Sequence, residues 1–216
     1  IIVNRIGAGY NDNCAVDSIA SATHIRSLIY DKKEFEIYVP DNSITLYDEY
    51  LNSGVFVDLE KYNLSAITLL RSKINKNLSN IANMSEGLEN RILAEIKANS
   101  NINDIFDNVK TKRFTHSRIR RALVSTMFEV EKKHLEIEAP YCRLLGFNKY
   151  KAIQMGKLAK NSKMPFVVNY SDIQKLNDEN TNIVFDFEEK STDFYNLILE
   201  KSFKCGTEKT RTPIKV

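Results

Sequence analysis

The chain has 216 residues, with 31 basic and 28 acidic side chains, a formal net charge of +3 and 43% hydrophobic residues. Because it has no apolar run near the roughly 18 residues that a membrane span needs, the sequence argues against a membrane protein. Three cysteines without C-x-x-C spacing argue against a disulfide framework and a cysteine zinc site. We therefore expect a globular protein of the cytoplasm.

Helical spacing of apolar residues, together with capping residues, predicts a mostly helical chain. Residues 1–6 form an apolar run typical of a buried strand, and a second short strand is expected at 166–168. The predicted helical segments are 19–30, 41–51, 58–74, 85–96, 102–109, 115–130, 141–147, 149–159, a brief helix beginning at Ser171, and 186–203. Asp41 or Ser43 is expected to cap the second segment and Thr115 the sixth, and the fourth is expected to bury a stripe of Leu88, Ile92 and Ile96.

The beginning of the chain predicts a missing region. Ile1 is not an initiator methionine, and an apolar strand at the first residue resembles the interior of a longer protein. We therefore expect a fragment: residues 1–30 as the last strand and helix of another domain, and residues 31–216 as a helical domain with little sheet.

The positive charge is concentrated in one segment. No acidic residue lies between Asp107 and Glu129, and without the cations of that stretch the chain would carry 25 basic and 28 acidic residues. A basic segment on an otherwise slightly acidic chain is typical of a polyanion site, although a solvated helix start is the plain alternative. The six cations, called the basic segment below, are Lys110, Lys112, Arg113, Arg118, Arg120 and Arg121.

A second anion site is predicted at the start of the first helix. Ser21 and Thr23 supply hydroxyl groups beside the first helical amides, and Arg26 follows one turn later. Amides at a helix N-terminus and an arginine together favour phosphate. A capped helix with a surface arginine is the structural alternative.

Other motifs are incomplete. Gly7-x-Gly9 follows the first apolar run, but Asp12 stands where a dinucleotide-binding fingerprint has its third glycine. The three histidines are far apart in sequence, so no metal site is expected. The residues by themselves supply neither a nucleophile nor a general base.

Five short motifs of the chain resemble motifs of the bacterial tRNA(Met) cytidine acetate ligase family, formerly classed as nucleotidyltransferases. They occur in the same order as in the family and at compatible spacing. The sequence suggests no role for the motif at 86–91. The motifs are RIGAGYND at 5–12, IASATHIR at 19–26, EGLENR at 86–91, KTKRFT at 110–115 with RIxRxL at 118–123, and RxLGFN at 143–148.

The resemblance implies a function. Members of this family use ATP, expected with Mg²⁺, to activate acetate as acetyl-adenylate and to acetylate N4 of the wobble cytidine of elongator tRNA(Met). Their N-terminal nucleotidyltransferase domain carries an H-x-G-H motif, which this sequence lacks. We therefore expect the family's C-terminal half: a tRNA-binding helical domain preceded by the edge of a missing Rossmann-like domain. Such a chain would be inactive alone, and ATP and acetate would be held through the missing part.

The resemblance also assigns residues. Arg5 would lie near the nucleotide, Ser21, Thr23 and Arg26 would hold the ATP phosphates, and the basic segment would contact tRNA phosphates. No catalytic or metal-binding residue is expected. Three alternatives remain open: a nucleotidyltransferase acting on another small substrate, an RNA-binding module without catalysis, and a helical scaffold without a ligand.

Overall fold

A computed structural model describes residues 7, 9, 12, 14, 15 and 19–216. The chain divides into two compact units, Ile1–Phe56 and Val57–Val216. The strand predicted over residues 1–6 lies outside the described residues. The functional boundary predicted after residue 30 stays a prediction.

The described part of the first unit contains helices α1 (Ala22–Tyr30) and α2 (Asp41–Asn52), with a 3-10 turn (Glu36–Tyr38) between them. Both were predicted, but α2 begins directly after Pro40, which occupies the N-cap position in place of the expected Asp41 or Ser43. Between the two helices, Phe35 is buried, and its ring forms a T-shaped pair with the ring of Tyr47 on α2 at a centroid distance of 5.3 Å.

The second unit has a helical core. Helix α3 (Leu59–Arg71) packs against α4 (Leu88–Ala98), α5 (Ile102–Val109), α6 (His116–Phe128) and α9 (Glu179–Ile198). The apolar stripe predicted on α4 is confirmed, since its three members are fully buried, and α6 adds four more buried apolar residues. These seven are Leu88, Ile92, Ile96, Ile119, Ala122, Leu123 and Met127.

Four two-residue strands form two small parallel sheets in the same unit. Strand β1 (Cys142–Arg143) pairs with β3 (Phe166–Val167), and β2 (Gly146–Phe147) pairs with β4 (Ile214–Lys215). The helix predicted over 141–147 is therefore wrong. Its backbone hydrogen bonds go instead to distant residues: the Cys142 amide donates to the Pro165 carbonyl and the Leu144 amide to that of Val167.

Three further helices complete the second unit: α7 (Ala152–Asn161), α8 (Tyr170–Leu176) and α10 (Thr207–Thr210). A small second core lies between β1, β3, α8 and α9, and it is formed by Tyr141, Val167, Ile173 and Phe185. Among the described residues, no helix combines the length and apolarity that crossing a membrane requires.

Glu129, at the end of α6, forms ion pairs with two lysines, and these pairs predict that the free energy of unfolding depends on pH. Its carboxylate accepts hydrogen bonds from Lys76 and, at 2.9 Å, from Lys73, and these bonds lower its pKa to about 2. The ordinary pKa of an unfolded glutamate is about 4.3. Because the folded value is lower, the stabilisation is complete above that pH and is lost as the pH falls toward 2.

We expect Glu129→Gln to lower the free energy of unfolding at pH 7 by at most about 1 kcal/mol, because the side chain is 46% exposed and water screens the pair. Urea unfolding at several pH values would measure this. The difference from the unchanged chain should narrow between pH 5 and pH 3. Glu136→Gln, at an exposed glutamate without an ion pair among the described residues, is the control. A Glu129→Gln difference that is constant with pH would contradict the assignment.

Candidate functional site

Ser21 is the N-cap of α1. Its buried hydroxyl donates to the Asp12 carbonyl at 2.7 Å and accepts from the His24 amide at 3.0 Å. The Asp12 carboxylate in turn accepts from the Gly9 amide at 2.5 Å. Asp12, which breaks the dinucleotide fingerprint, therefore bonds to the turn and to the cap of the helix that follows.

The start of α1 leaves groups that an anion could bind. Thr23 and Arg26 are exposed, and neither side chain has a hydrogen bond or ion pair with the described part of the chain. The same holds for the amides of Ala22 and Thr23. These groups lie on one turn of the helix, at the end where its dipole is positive. Arg5, the fourth residue predicted to bind the nucleotide, lies outside the described residues.

The structure places the basic segment at the end of α5, in the following loop and on α6. Lys110, Lys112, Arg120 and Arg121 are exposed, and within the described residues they form no ion pair. The Arg120 guanidinium lies 5.6 Å from the centre of the Phe106 ring. These four cations therefore remain available to an anionic partner.

Glu86 compensates the other two cations of the basic segment. Its carboxylate accepts a hydrogen bond of 2.6 Å from Arg113 Nε and lies 3.7 Å from Arg118 Nη1. The hydrogen bond from Arg113 lowers the pKa of Glu86, and the charges of Arg113 and Arg118 act in the same direction. The acid-free run in the sequence is therefore not acid-free in space.

Phe114 is held between the same two arginines. The ring is buried, and the guanidinium carbons of Arg113 and Arg118 lie 5.9 Å and 5.2 Å from its centre. Arg118 also donates a hydrogen bond to Ser85. Because the ring is covered, Phe114 does not offer a face to an unpaired base.

The structure explains the motif at 86–91. Besides Glu86, it contributes Arg91, whose guanidinium donates to the carbonyl of Val109 at 3.1 Å and to that of Asn108 at 2.7 Å. These carbonyls end α5, so Arg91 joins α4 to the end of α5 where the basic segment begins. In the sequence, Glu86 and Arg91 are visible only as two opposite charges five residues apart. No neighbouring residue indicates that they bind residues 108–118.

Arg143, in the motif at 143–148, is the centre of a buried ionic cluster. Its Nη1 lies 3.0 Å from Glu188 Oε2 and 2.8 Å from Glu208 Oε1, and its Nη2 donates to the Glu208 carbonyl at 3.1 Å. Burial, and next the negative charge of Glu188, raises the pKa of the neighbouring Tyr141. The cluster joins β1, α9 and α10, which is a structural role. In the described ranges, no group of three His, Cys, Asp or Glu side chains could hold a metal ion.

Comparison with known proteins gives a consistent family. The family model described as HIGH Nucleotidyl Transferase matches residues 1–210. The tRNA(Met) cytidine acetate ligase of Thermosipho melanesiensis is 37% identical over 180 residues, covering 81% of this chain and 42% of the relative. The ligase of the same name from Thermoanaerobacter sp. is 31% identical over 220 residues, covering 99% of this chain and 54% of the relative.

Two crystal structures of Thermotoga maritima TmcAL are similar to this chain. The apo form has a TM-score of 0.82 at 28% identity and is matched over 99% of this chain and 55% of its own. The form bound with alpha-thio ATP has a TM-score of 0.81 at 28% identity, and the match covers 93% of this chain and 53% of its own. The chain thus spans about half the length of the relatives it matches.

These matches correct the predicted fold class. We expected residues 1–30 to be the last strand and helix of a missing Rossmann-like nucleotidyltransferase domain, with a separate helical domain after it. The nucleotidyltransferase family model instead runs through residues 1–210, helices included, and the apo structure is matched over 99% of the chain. Helical periodicity reports which faces are buried, and it carries no information about which helices belong to one family unit.

Three related predictions lose their support for the same reason. The similarity extends over nearly the whole chain, so it does not single out a C-terminal half of the family. Neither does it support a chain that is inactive alone or one that holds no ATP.

Proposed function

Since this chain belongs to the HIGH nucleotidyltransferase family, and close relatives are named tRNA(Met) cytidine acetate ligases, we propose that it serves ATP-dependent acetylation of elongator tRNA(Met). The acetyl acceptor is the N4 amine of the wobble cytidine, and acetate is activated as acetyl-adenylate. We place this activity in the cytoplasm.

The observation that carries the proposal is the basic segment. Four of its cations, Lys110, Lys112, Arg120 and Arg121, are exposed and form no ion pair with described residues, and they would contact tRNA phosphates directly. Such contacts give strong, salt-sensitive and largely sequence-independent affinity. Arg113 and Arg118 would contribute less, because each shares the carboxylate of Glu86.

The start of α1 supports the second part of the proposal, which is binding of the ATP phosphates. The amides of Ala22 and Thr23, the Thr23 hydroxyl and the Arg26 guanidinium are the groups that would hold phosphate oxygens. Arg26 would also stabilise the charge that develops on the departing pyrophosphate. Ser21 would act by capping the helix, since its hydroxyl is already engaged on both sides. Participation of Arg5 and of Mg²⁺ stays a prediction.

The experiment that tests the RNA part is binding of this chain to elongator tRNA(Met) and to a second tRNA over a salt series. We expect affinity that falls steeply with salt for both, since phosphate contacts dominate. Absence of binding to either tRNA at low salt would overturn the proposal that the basic segment holds tRNA.

Arg26→Ala tests the nucleotide part. We expect ATP to bind at least tenfold more weakly, because a hydrogen bond to a charged group contributes about 1.5–3 kcal/mol. Isothermal titration of the chain with ATP measures this. The melting temperature should not change, since Arg26 is exposed and has no ion pair among the described residues.

Lys33→Ala is the matched control for Arg26→Ala. Lys33 is exposed beyond the other end of α1 and pairs with Asp31 at 3.0 Å. Lys33→Ala therefore removes one positive charge, as Arg26→Ala does, but at the opposite end of the helix. Equal ATP affinity in Arg26→Ala and in the unchanged chain would show that α1 does not hold the phosphates.

A further inference from the structure

A second basic run of the chain has no part in the function proposed above. Residues 139–171 contain no aspartate or glutamate. Five lysines of this run are exposed, and in the described part of the chain none of them forms an ion pair. They are Lys149, Lys151, Lys157, Lys160 and Lys163. The sixth cation, Arg143, is buried in its ionic cluster and is not available.

Helix α7, which carries Lys157 and Lys160, packs only shallowly against the protein, since Met155 and Ala159 are half-buried and its other residues are exposed. Neither α7 nor the 3-10 turn before it, Lys149–Lys151, contains a buried residue. A helix of a globular protein ordinarily buries an apolar stripe. Here Ile153 is 77% exposed and Leu158 56% exposed, so α7 presents to solvent the apolar residues that a core would cover.

Tyr150 gives this surface a specific chemistry. Its side chain is 83% exposed, it lies between two lysines in sequence, and Lys149 Nζ is 5.3 Å from the centre of its ring. Ile153, Lys157 and Lys160 follow at spacings of four and three residues, so they share one face of α7. An exposed aromatic ring among unpaired cations is the arrangement on which unpaired nucleotides stack.

We propose that these residues form a second RNA-contact surface, which binds unpaired nucleotides. It consists of Lys149, Tyr150, Lys151, Ile153, Lys157 and Lys160 and is called the Tyr150 surface. A base stacks on Tyr150 and the lysines contact the flanking phosphates. The choice of RNA rests on the proposed function and on charge complementarity. An anionic membrane fits less well, because the exposed Ile153 and Leu158 are five residues apart and do not share one face of α7, so the helix has no apolar stripe for insertion into lipid.

The test uses the full chain, a fluorescent oligouridylate of twelve nucleotides, and four variants. We expect Tyr150→Ala to weaken binding at least fivefold, whereas Tyr150→Phe keeps the stacking ring and the affinity. Lys157→Glu/Lys160→Glu should weaken binding and reduce the salt slope by about 1.4, which is about 0.7 for each lost phosphate contact. Because these residues are not buried, all variants should keep the melting temperature of the unchanged chain. Lys201→Glu/Lys204→Glu makes the same charge change in the loop after α9 and should bind as the unchanged chain does.

Unchanged oligouridylate binding in both Tyr150→Ala and Lys157→Glu/Lys160→Glu would overturn the inference. So would binding to phosphatidylserine vesicles that these variants abolish while RNA binding persists. If tRNA binding depends on Arg120 and Arg121 but not on the Tyr150 surface, the inference fails and the proposed function stands. The reverse result would support the Tyr150 surface and reject the basic segment.

Discussion

Arg143→Met is expected to lower the free energy of unfolding by about 3–5 kcal/mol. Arg143 is only 11% exposed, and the Glu208 side chain with which it pairs is 8% exposed. Removing the cation leaves a buried carboxylate whose remaining cation is the exposed Arg211 at 3.6 Å, and it also removes the connection between β1, α9 and α10. Urea unfolding at neutral pH, followed by circular dichroism, measures the loss.

Two variants separate the buried pair from a general effect of removing arginine. Arg211→Met removes an arginine that lies 3.6 Å from the same Glu208 but is 56% exposed, and it should cost no more than about 1 kcal/mol. Adding Glu208→Gln to Arg143→Met removes the orphaned charge and should restore part of the stability. An Arg143→Met chain as stable as Arg211→Met would contradict the buried cluster.

Arg120→Glu/Arg121→Glu is expected to weaken tRNA binding about 100-fold near 0.1 M salt and to reduce the salt slope by about 1.5–2, since two phosphate contacts are lost. Both side chains lie on the exposed side of α6, so the fold should persist. Fluorescence anisotropy with labelled tRNA over a salt series measures affinity and slope together.

The control for this pair is Lys201→Glu/Lys204→Glu, which changes net charge equally outside the basic segment. An equal loss in the control would show that overall charge, and not the basic segment, determines tRNA binding. Glu86→Gln should act in the opposite direction, raising affinity severalfold, because it frees the charges of Arg113 and Arg118. Weaker binding by Glu86→Gln would mean that the ion pairs position the arginines for tRNA.

The helices could be predicted where one face is buried and local caps are present. On α4 the fully buried Leu88, Ile92 and Ile96 follow the spacing of four residues that the sequence shows. Thr115 was predicted to cap α6, and its hydroxyl accepts from the Arg118 amide at 3.4 Å. Such features depend on residues within one turn of each other, so they can be recognised in sequence.

The strands near residue 143 could not be predicted in the same way. Cys142 pairs with Phe166, and Gly146 pairs with Ile214, so their partners lie far along the chain. Two-residue strands carry no period of their own, and a short apolar run is equally compatible with a helix. The helical prediction for 141–147 failed for this reason.

The candidate site likewise has features that the sequence predicts and features that depend on distant contacts. The sequence by itself determined where the cations lie and where helices with a local cap, such as α1 and α6, begin, because composition and capping are properties of neighbouring residues. Only the tertiary structure decided which charges are available. It paired Arg113 and Arg118 with Glu86 from another segment, enclosed Arg143 between two glutamates, and left Arg120, Arg121 and the lysines around Tyr150 exposed. The physical reason is that the strength of a charge depends on its burial and on its nearest opposite charge, and folding sets both through contacts between residues distant in the chain.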